Sequence, residues 1–244
     1  MKRFLMQASV FVSLFLLLTQ VASAEPSRVF FQETTAIEPA GSISLDVLYP
    51  GSDLGVTTGL RIGAFNGVVL INSHDDNSGT HTGFSTSSAG FKKMINKQVA
   101  AYAVLSYFNY DINNNSDSGT DFAIGIAYSG KTGTLSYNVN PELITDNSNQ
   151  TVRGGKDTLF LKGAVSVPLT SLKISGSTSA IAEVILENNS NLDTVTNLGL
   201  RWIPRKDITL DFILYSDRGS PAVSGNNKDV MKGIPGMIKA NILF

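Results

Sequence analysis

Beyond Val21 the chain has no apolar run long enough to cross a bilayer as a helix, yet short segments that alternate apolar and polar residues recur up to its last residue. Side chains along a strand point to opposite faces at period two, so each such segment makes a sheet surface with one apolar and one polar side. Segments of this kind, separated by Asn, Asp, Ser and Gly and lacking helical periodicity, predict an all-β chain. If it enters a membrane, only a closed barrel can satisfy every backbone N–H and C=O there. Twelve strands are expected, at about 41–49, 56–64, 67–73, 81–91, 98–110, 120–129, 132–140, 157–167, 172–186, 194–203, 208–216 and 234–244.

The connections alternate in character. Those at 65–67, 92–97, 130–131, 168–171 and 204–207 are long enough only for tight hairpins, whereas 50–55, 73–80, 111–119, 141–156, 187–193 and 217–233 are longer and more polar. Short turns at one end and long loops at the other are the polarity of a transmembrane antiparallel up-and-down barrel with both termini at the periplasmic end. Proline cannot donate to a ladder. Pro50, Pro141, Pro168, Pro204 and Pro221 are all expected in turns or loops, with Pro26 and Pro39 before the first strand and Pro235 at the entry to the last.

The last strand ends on an aromatic, with Ile238, Ala240, Ile242 and Phe244 on one face and Lys239 and Asn241 on the other. This pattern resembles the C-terminal signal of bacterial outer-membrane β-barrel proteins, porin-like and of about 12 strands. The resemblance implies that the barrel-assembly machinery reads those four residues, and that the protein lies in Gram-negative outer-membrane lipid beside lipopolysaccharide. The other end agrees. Lys2 and Arg3 precede an apolar run to Val21, and Ala22-Ser23-Ala24 supplies a small-x-small cleavage site. Residues 1–24 are therefore expected to be a removed export signal, 25–40 a periplasmic or lumenal segment, and 41–244 the barrel.

The absence of cysteine excludes disulfides, thiolate metal sites and a lipidated cysteine anchor. Without Lys2 and Arg3 the 19 basic residues become 17 against 20 acidic ones, a net charge of −3 that argues against a nucleic-acid partner. No cofactor is expected.

Face assignment puts Phe122, Ile124, Ile126 and Tyr128, then Leu135, Tyr137 and Val139, then Leu198, Leu200 and Trp202, and Ile208, Leu210, Phe212 and Leu214 outside. Charges within strands mostly take the opposite side, which makes Asp46, Arg61, Lys162, Lys173, Glu183, Arg201, Asp211 and Lys239 lumen candidates that set selectivity. A charge on a lipid face at the midplane costs roughly 2 to 4 kcal/mol, which explains the segregation. Phe91, Tyr128, Trp202 and Phe244 are expected to ring the periplasmic interface, and Tyr49, Tyr110, Phe122 and Tyr215 the outer one. A soluble β-sandwich or ligand-binding barrel would turn the same apolar faces inward, but leaves the loop asymmetry, the aromatic bands and the terminal Phe unexplained. Strand 98–110 is apolar on both faces.

A cover for that strand is available in residues 25–40, whose Val29, Phe30 and Phe31 are too apolar for an inert tail. Either this segment folds into the lumen and packs on the inner face of the fifth strand, or it is a disordered lead. Twelve strands about 4.8 Å apart and tilted about 40° give a backbone diameter of roughly 24 Å, enough for a narrow opening. The expected function is a narrow channel or transporter for small polar solutes with a weak anion preference, since Arg61, Lys162, Lys173, Arg201 and Lys239 outnumber Asp46, Glu183 and Asp211. A closed structural or adhesive surface barrel is the alternative, with the lumen charges paired, as Arg201 with Asp211. A loop-borne hydrolase using His74 or His81 beside Asp75 and Asp76 is a third, matching no known pattern of barrel protease or lipase, and no enzymatic activity is expected. Asp111, Asp117 and Asp121 could hold divalent cations shared with lipopolysaccharide phosphates, although no Ca²⁺-loop spacing is present.

Overall fold

The structure, a computed structural model, describes residues 30, 32–49, 56–64, 67–76, 83–112, 115–146, 157–170, 175–188, 194–216 and 237–244. The expected export signal, residues 25–29, Phe31, His81, Lys173 and most of the fourth and sixth long connections lie outside this set; for Tyr49, His74, Asp111, Asp117, Tyr110 and Met237 only the backbone is described.

Alternation and turn chemistry produce twelve strands: β1 (Ile43–Tyr49), β2 (Val56–Ala64), β3 (Gly67–Asp76), β4 (Gly83–Asn96), β5 (Val99–Ile112), β6 (Asn115–Thr132), β7 (Leu135–Asp146), β8 (Thr158–Pro168), β9 (Ser177–Glu187), β10 (Val195–Arg205), β11 (Ile208–Ser216) and β12 (Met237–Leu243). Each pairs antiparallel with its sequence neighbours, and β1 pairs with β12, so the barrel is closed and has no free edge. The seam runs from Ser44↔Leu243 to Tyr49↔Ile238. Beyond it the Phe244 amide donates to the Ile43 carbonyl at 2.7 Å and the Ile43 amide donates back at 3.2 Å, so the terminal residue itself fastens the short-turn end.

The interior inverts that of a soluble protein. Ile71, Leu105, Ile124, Ile126, Leu198 and Ile238 are exposed on the outer wall, while Arg61, Lys92, Glu183, Asn140 and Asn197 are among the most deeply buried side chains. Such a distribution is stable only where hydrocarbon meets the outside. It rules out the soluble sandwich or ligand barrel, which would bury the apolar face.

Several boundaries depart from expectation. Of the third long connection, expected at 111–119, the described residues are strand: β5 and β6 stay paired up to Ile112↔Asn115, carrying Asp111, Asp117 and Asp121 in the ladder and making Phe122 the eighth residue of its strand. Residues with turn chemistry hold strand geometry there because a full-length partner satisfies their backbone. The turn expected at Gly130-Lys131 lies at Gly133-Thr134, where Gly133 takes the positive φ (56°) that a two-residue hairpin requires. Pro141 lies inside β7 instead of in a loop. Where Pro141 cannot donate, Asn140 Nδ2 reaches across to the Ile126 carbonyl at 2.7 Å and supplies the missing donor. Pro168 and Pro204 also fall within the ends of β8 and β10.

Lys92, expected in a turn, is fully buried in β4, which continues to Asn96. A bulge in β11 leaves Leu214 unopposed between Leu198↔Tyr215 and Gly199↔Ile213, so Leu214 and Tyr215 both face out and Ser216 returns to the lumen. Tyr137 belongs to the outward set but is buried, because its ring lies over Gly130 and stacks on Tyr128 at 6.3 Å.

Candidate functional site

The lumen holds part of the chain's own amino-terminal segment. Phe30 and residues 32–40 lie inward at the short-turn end. The Gly41 amide donates to the Gly63 carbonyl at 3.0 Å and the Ser42 amide to the Pro39 carbonyl at 3.0 Å, which starts the segment back over β2. Position 63 has to be glycine for this path, since a Cβ there would lie 1.9 Å from the Pro39 carbonyl oxygen. The Thr35 amide donates to Ser129 Oγ at 3.0 Å and Thr35 Oγ1 to the Lys97 carbonyl at 3.3 Å. Phe30 then packs with Ala164, Ile181 and Ile213 and against Leu48. Phe30 and residues 32–40 thus lie inside the barrel, but not on the expected seat. The apolar anchor rests on β8, β9 and β11 instead of on β5. The inner face of β5 is covered from within the wall by Tyr102, whose ring occupies the space a Cβ at Gly125 would need.

Between these contacts lies the densest charge cluster among the described residues. Glu33 accepts a two-point fork from Arg61, Nη2 to Oε1 at 2.6 Å and Nη1 to Oε2 at 3.1 Å, and a third bond from Lys92 Nζ to Oε2 at 3.0 Å. Lys92 Nζ also donates to the Thr34 carbonyl at 3.4 Å. Arg61 Nε is held by Asp46 Oδ2 at 3.0 Å, and Asn241 Nδ2 donates to Asp46 Oδ1 at 2.9 Å. Glu38 Oε1 lies 4.0 Å from Arg61 Nη1 and accepts from Ser44 Oγ at 3.2 Å. Lys239 Nζ stands 3.9 Å from Asp46 and donates to the Phe30 carbonyl at 3.4 Å. Arg61 is 1 % exposed and Lys92 0 %.

Charge balance explains the arrangement. Around the segment, among the described residues, the wall contributes Arg61, Lys92 and Lys239 against Asp46, two positive charges in excess. The segment brings two carboxylates, Glu33 and Glu38, and neutralises that excess. Burying charges at this depth costs several kcal/mol per ion unless each is paired and hydrogen-bonded, and here the segment completes the pairing.

Three further polar groupings join residues of the wall to one another. Arg201 and Asp211, opposite one another on β10 and β11, form a bidentate pair at 2.7 and 2.8 Å, as the alternative reading anticipated. Lys162 Nζ donates to Glu142 at 2.6 Å; the Tyr102 hydroxyl also donates to Glu142 and lies 3.0 Å from Asn140 Oδ1. Farther along β10 and β11 from the Arg201–Asp211 pair, Asn197 Nδ2 donates to Glu183 of β9 at 2.8 Å and Ser216 Oγ to Asn197 Oδ1 at 2.6 Å.

Asp46, Arg61, Glu183, Arg201, Asp211 and Lys239 are thus buried on the lumen face and Lys162 is partly so, while Lys173 lies outside the described residues. The excess of lumen cations does not hold, because Glu33, Glu38 and Glu142 join the acidic set and Lys92 the basic one. Lys92 was legible in the alternation of Phe91, Lys93 and Ile95 against it, and the paired lysines disguised it as a turn. Glu142 was hidden by the adjacent Pro141. Of the aromatic positions, Phe91, Phe122, Tyr215 and Phe244 are exposed on the outer wall, and Trp202 Nε1 donates to the Ser175 carbonyl at 2.8 Å beside the β8–β9 connection. His74 lies on β3 and not in a loop, paired with Thr57 and Thr86; its side chain and the whole of His81 lie outside the described residues. Among the described residues no His, Cys, Asp or Glu grouping could hold a metal ion.

No protein-family model and no curated protein matches this chain. Among solved structures, LpxR from Salmonella typhimurium is similar at 9% identity and a TM-score of 0.49, over 83% of this chain and 99% of that one. A mutant of the Rh. blastica porin is similar at 14% identity and a TM-score of 0.38, over 79% of this chain and 56% of the porin. The outer membrane channel DcaP of Acinetobacter baumannii is similar at 10% identity and a TM-score of 0.34, over 93% and 70%. The architecture stands on the strand pairing itself: a closed, antiparallel, up-and-down barrel of twelve strands whose lumen holds part of its own amino-terminal segment.

Proposed function

We propose that the protein resides in the bacterial outer membrane and conducts small polar solutes through a narrow lumen that residues 30–40 hold closed. The observation that carries this reading is the charge match between segment and wall. A barrel needing only a filled interior is served as well or better by apolar side chains, since buried ion pairs add little net stability. A wall with two excess cations, neutralised by a separate segment, becomes a cationic passage once that segment withdraws. Gln32 supports withdrawal, because its carboxamide is fully buried with neither polar atom hydrogen-bonded, a cost of about 1–3 kcal/mol that the closed state carries. In this reading the short turns are periplasmic, the barrel-assembly machinery inserts the chain through Ile238, Ala240, Ile242 and Phe244, and the outer wall meets lipid and lipopolysaccharide. No catalytic step is involved.

The test is planar-bilayer conductance of the folded protein beside a variant lacking residues 27–37. Discrete steps in the variant, with reversal potentials favouring anions, and rare openings in the parent are expected. A folded, inserted variant that stays silent would discard the channel and favour the structural or adhesive barrel. That second reading draws on the Arg201–Asp211 pair and the Glu183–Asn197–Ser216 chain, which fill part of the lumen without help from the segment.

A further inference from the structure

We infer that Arg61 and Lys92 form a carboxylate-binding site on the lumen wall, which Glu33 occupies from within the same chain and a small carboxylate solute occupies when the segment withdraws. This rests on the conducting reading above and names the solute class it would serve. The site is built on the wall before any ligand is considered. Arg61 reaches in from β2, and its Nε is tied to Asp46 Oδ2 at 3.0 Å on the neighbouring β1, which leaves the Nη1–Nη2 edge of the guanidinium directed at the ligand. Asp46 is itself held by Asn241 Nδ2 at 2.9 Å, so the orientation of the fork is set by wall residues and not by Glu33.

Lys92 enters from β4 and donates to the oxygen that also receives Nη1, at 3.0 and 3.1 Å, while the other oxygen takes the short Nη2 bond at 2.6 Å. A planar group with two oxygens meets all three donors at once. A guanidinium edge matches carboxylate in this way, whereas lysine alone would act as a point charge without directional preference. Apart from its carboxylate, Glu33 contributes only a flexible stem. Any small carboxylate of similar reach offers the same two oxygens, and the segment acts as a tethered competitor for them.

The experiment uses the full chain, folded and purified in detergent, with acetate as probe and chloride at equal ionic strength as control. Thermal unfolding is followed by the change in electrophoretic mobility, and conductance in planar bilayers. In Glu33→Ala the unfolding midpoint is expected to fall and to rise again with the logarithm of acetate concentration, with chloride giving no such rise. The parent, whose site is filled, should show little response to acetate. In bilayers the same variant should open, and acetate should reduce its chloride current. Glu33→Gln, a near-isostere, repeats the measurement should the alanine variant fail to fold. Adding Arg61→Gln to either should abolish the acetate effect.

If the variant conducts but acetate neither raises its midpoint nor lowers its chloride current, the site is refuted while the channel stands. If acetate restores the midpoint and no variant conducts, the site stands and the channel is refuted. Equal responses to acetate and chloride would mean general screening and overturn the assignment.

Discussion

Two arginines in one lumen are neutralised in different ways. Arg201 meets Asp211 directly across a strand pair, so its partner comes from the same sheet and arrives whenever β10 and β11 zip together. Arg61 takes one bond from the wall, to Asp46, and its two remaining ones from Glu33, on a segment that belongs to no strand of the sheet. The first arrangement is permanent for as long as the barrel exists. The second can be undone without breaking a ladder. Charge in the β10–β11 wall thus serves closure of the sheet, and charge around β1, β2 and β4 serves closure of the passage.

The largest effect is expected at the permanent pair. Asp211→Ala leaves the buried guanidinium without its bidentate acceptor and should cost about 3–5 kcal/mol of stability, read from urea or heat unfolding, whereas Arg201→Met with Asp211→Leu should recover most of it. Glu33→Ala should cost less than Asp211→Ala, because the segment can withdraw and let water reach Arg61 and Lys92, and its main signature should be conductance. An equal loss of stability in the two, with no current, would erase the distinction between the regions.

Gly63→Ala probes the same segment through backbone contact. A Cβ directed at the Pro39 carbonyl should displace the segment at a cost of about 1–3 kcal/mol and raise the open fraction. Gln32→Met works in the opposite sense, since it removes two unsatisfied polar atoms and should tighten closure by about 1 kcal/mol.

The smallest effect is expected at Asp207, in the exposed turn after β10. The hydrogen bond from Arg205 holds its carboxyl below the ordinary carboxylate range. The contribution is present above that range and lost as pH falls through the lowered value, and because both groups are exposed Asp207→Asn should leave unfolding unchanged within error.

The agreement between sequence and structure varies along the barrel for physical reasons. β2 and β11 follow the expected bounds, 56–64 and 208–216, because clear alternation ends there at turn residues. β6 runs well past 120–129 because Asn115 to Gly119 have loop chemistry but lie opposite the end of a fourteen-residue β5, where ladder bonds outweigh local preference. Pro141 misled in the same way, since Asn140 supplies the donor that proline lacks. Most of the lumen candidates were legible, as charge on the side opposite an apolar stripe has only one place to go. Their partners were less so. Arg201 with Asp211 follows from hairpin register, but Glu33 with Arg61 and Lys92 does not.

Period-two alternation, turn residues and the segregation of charge are local properties, readable along a few residues at a time. They were enough for the all-β class, the twelve strands and the inward and outward faces. Whether the lumen is open is a different kind of property. It depends on where a segment outside the twelve strands comes to rest, and therefore on contacts between residues 28 and 59 positions apart that exist only once the sheet has closed around them. Closure removes water from Arg61 and Lys92, and the carboxylate oxygens that Glu33 brings to their N–H groups offset the cost of burying those charges.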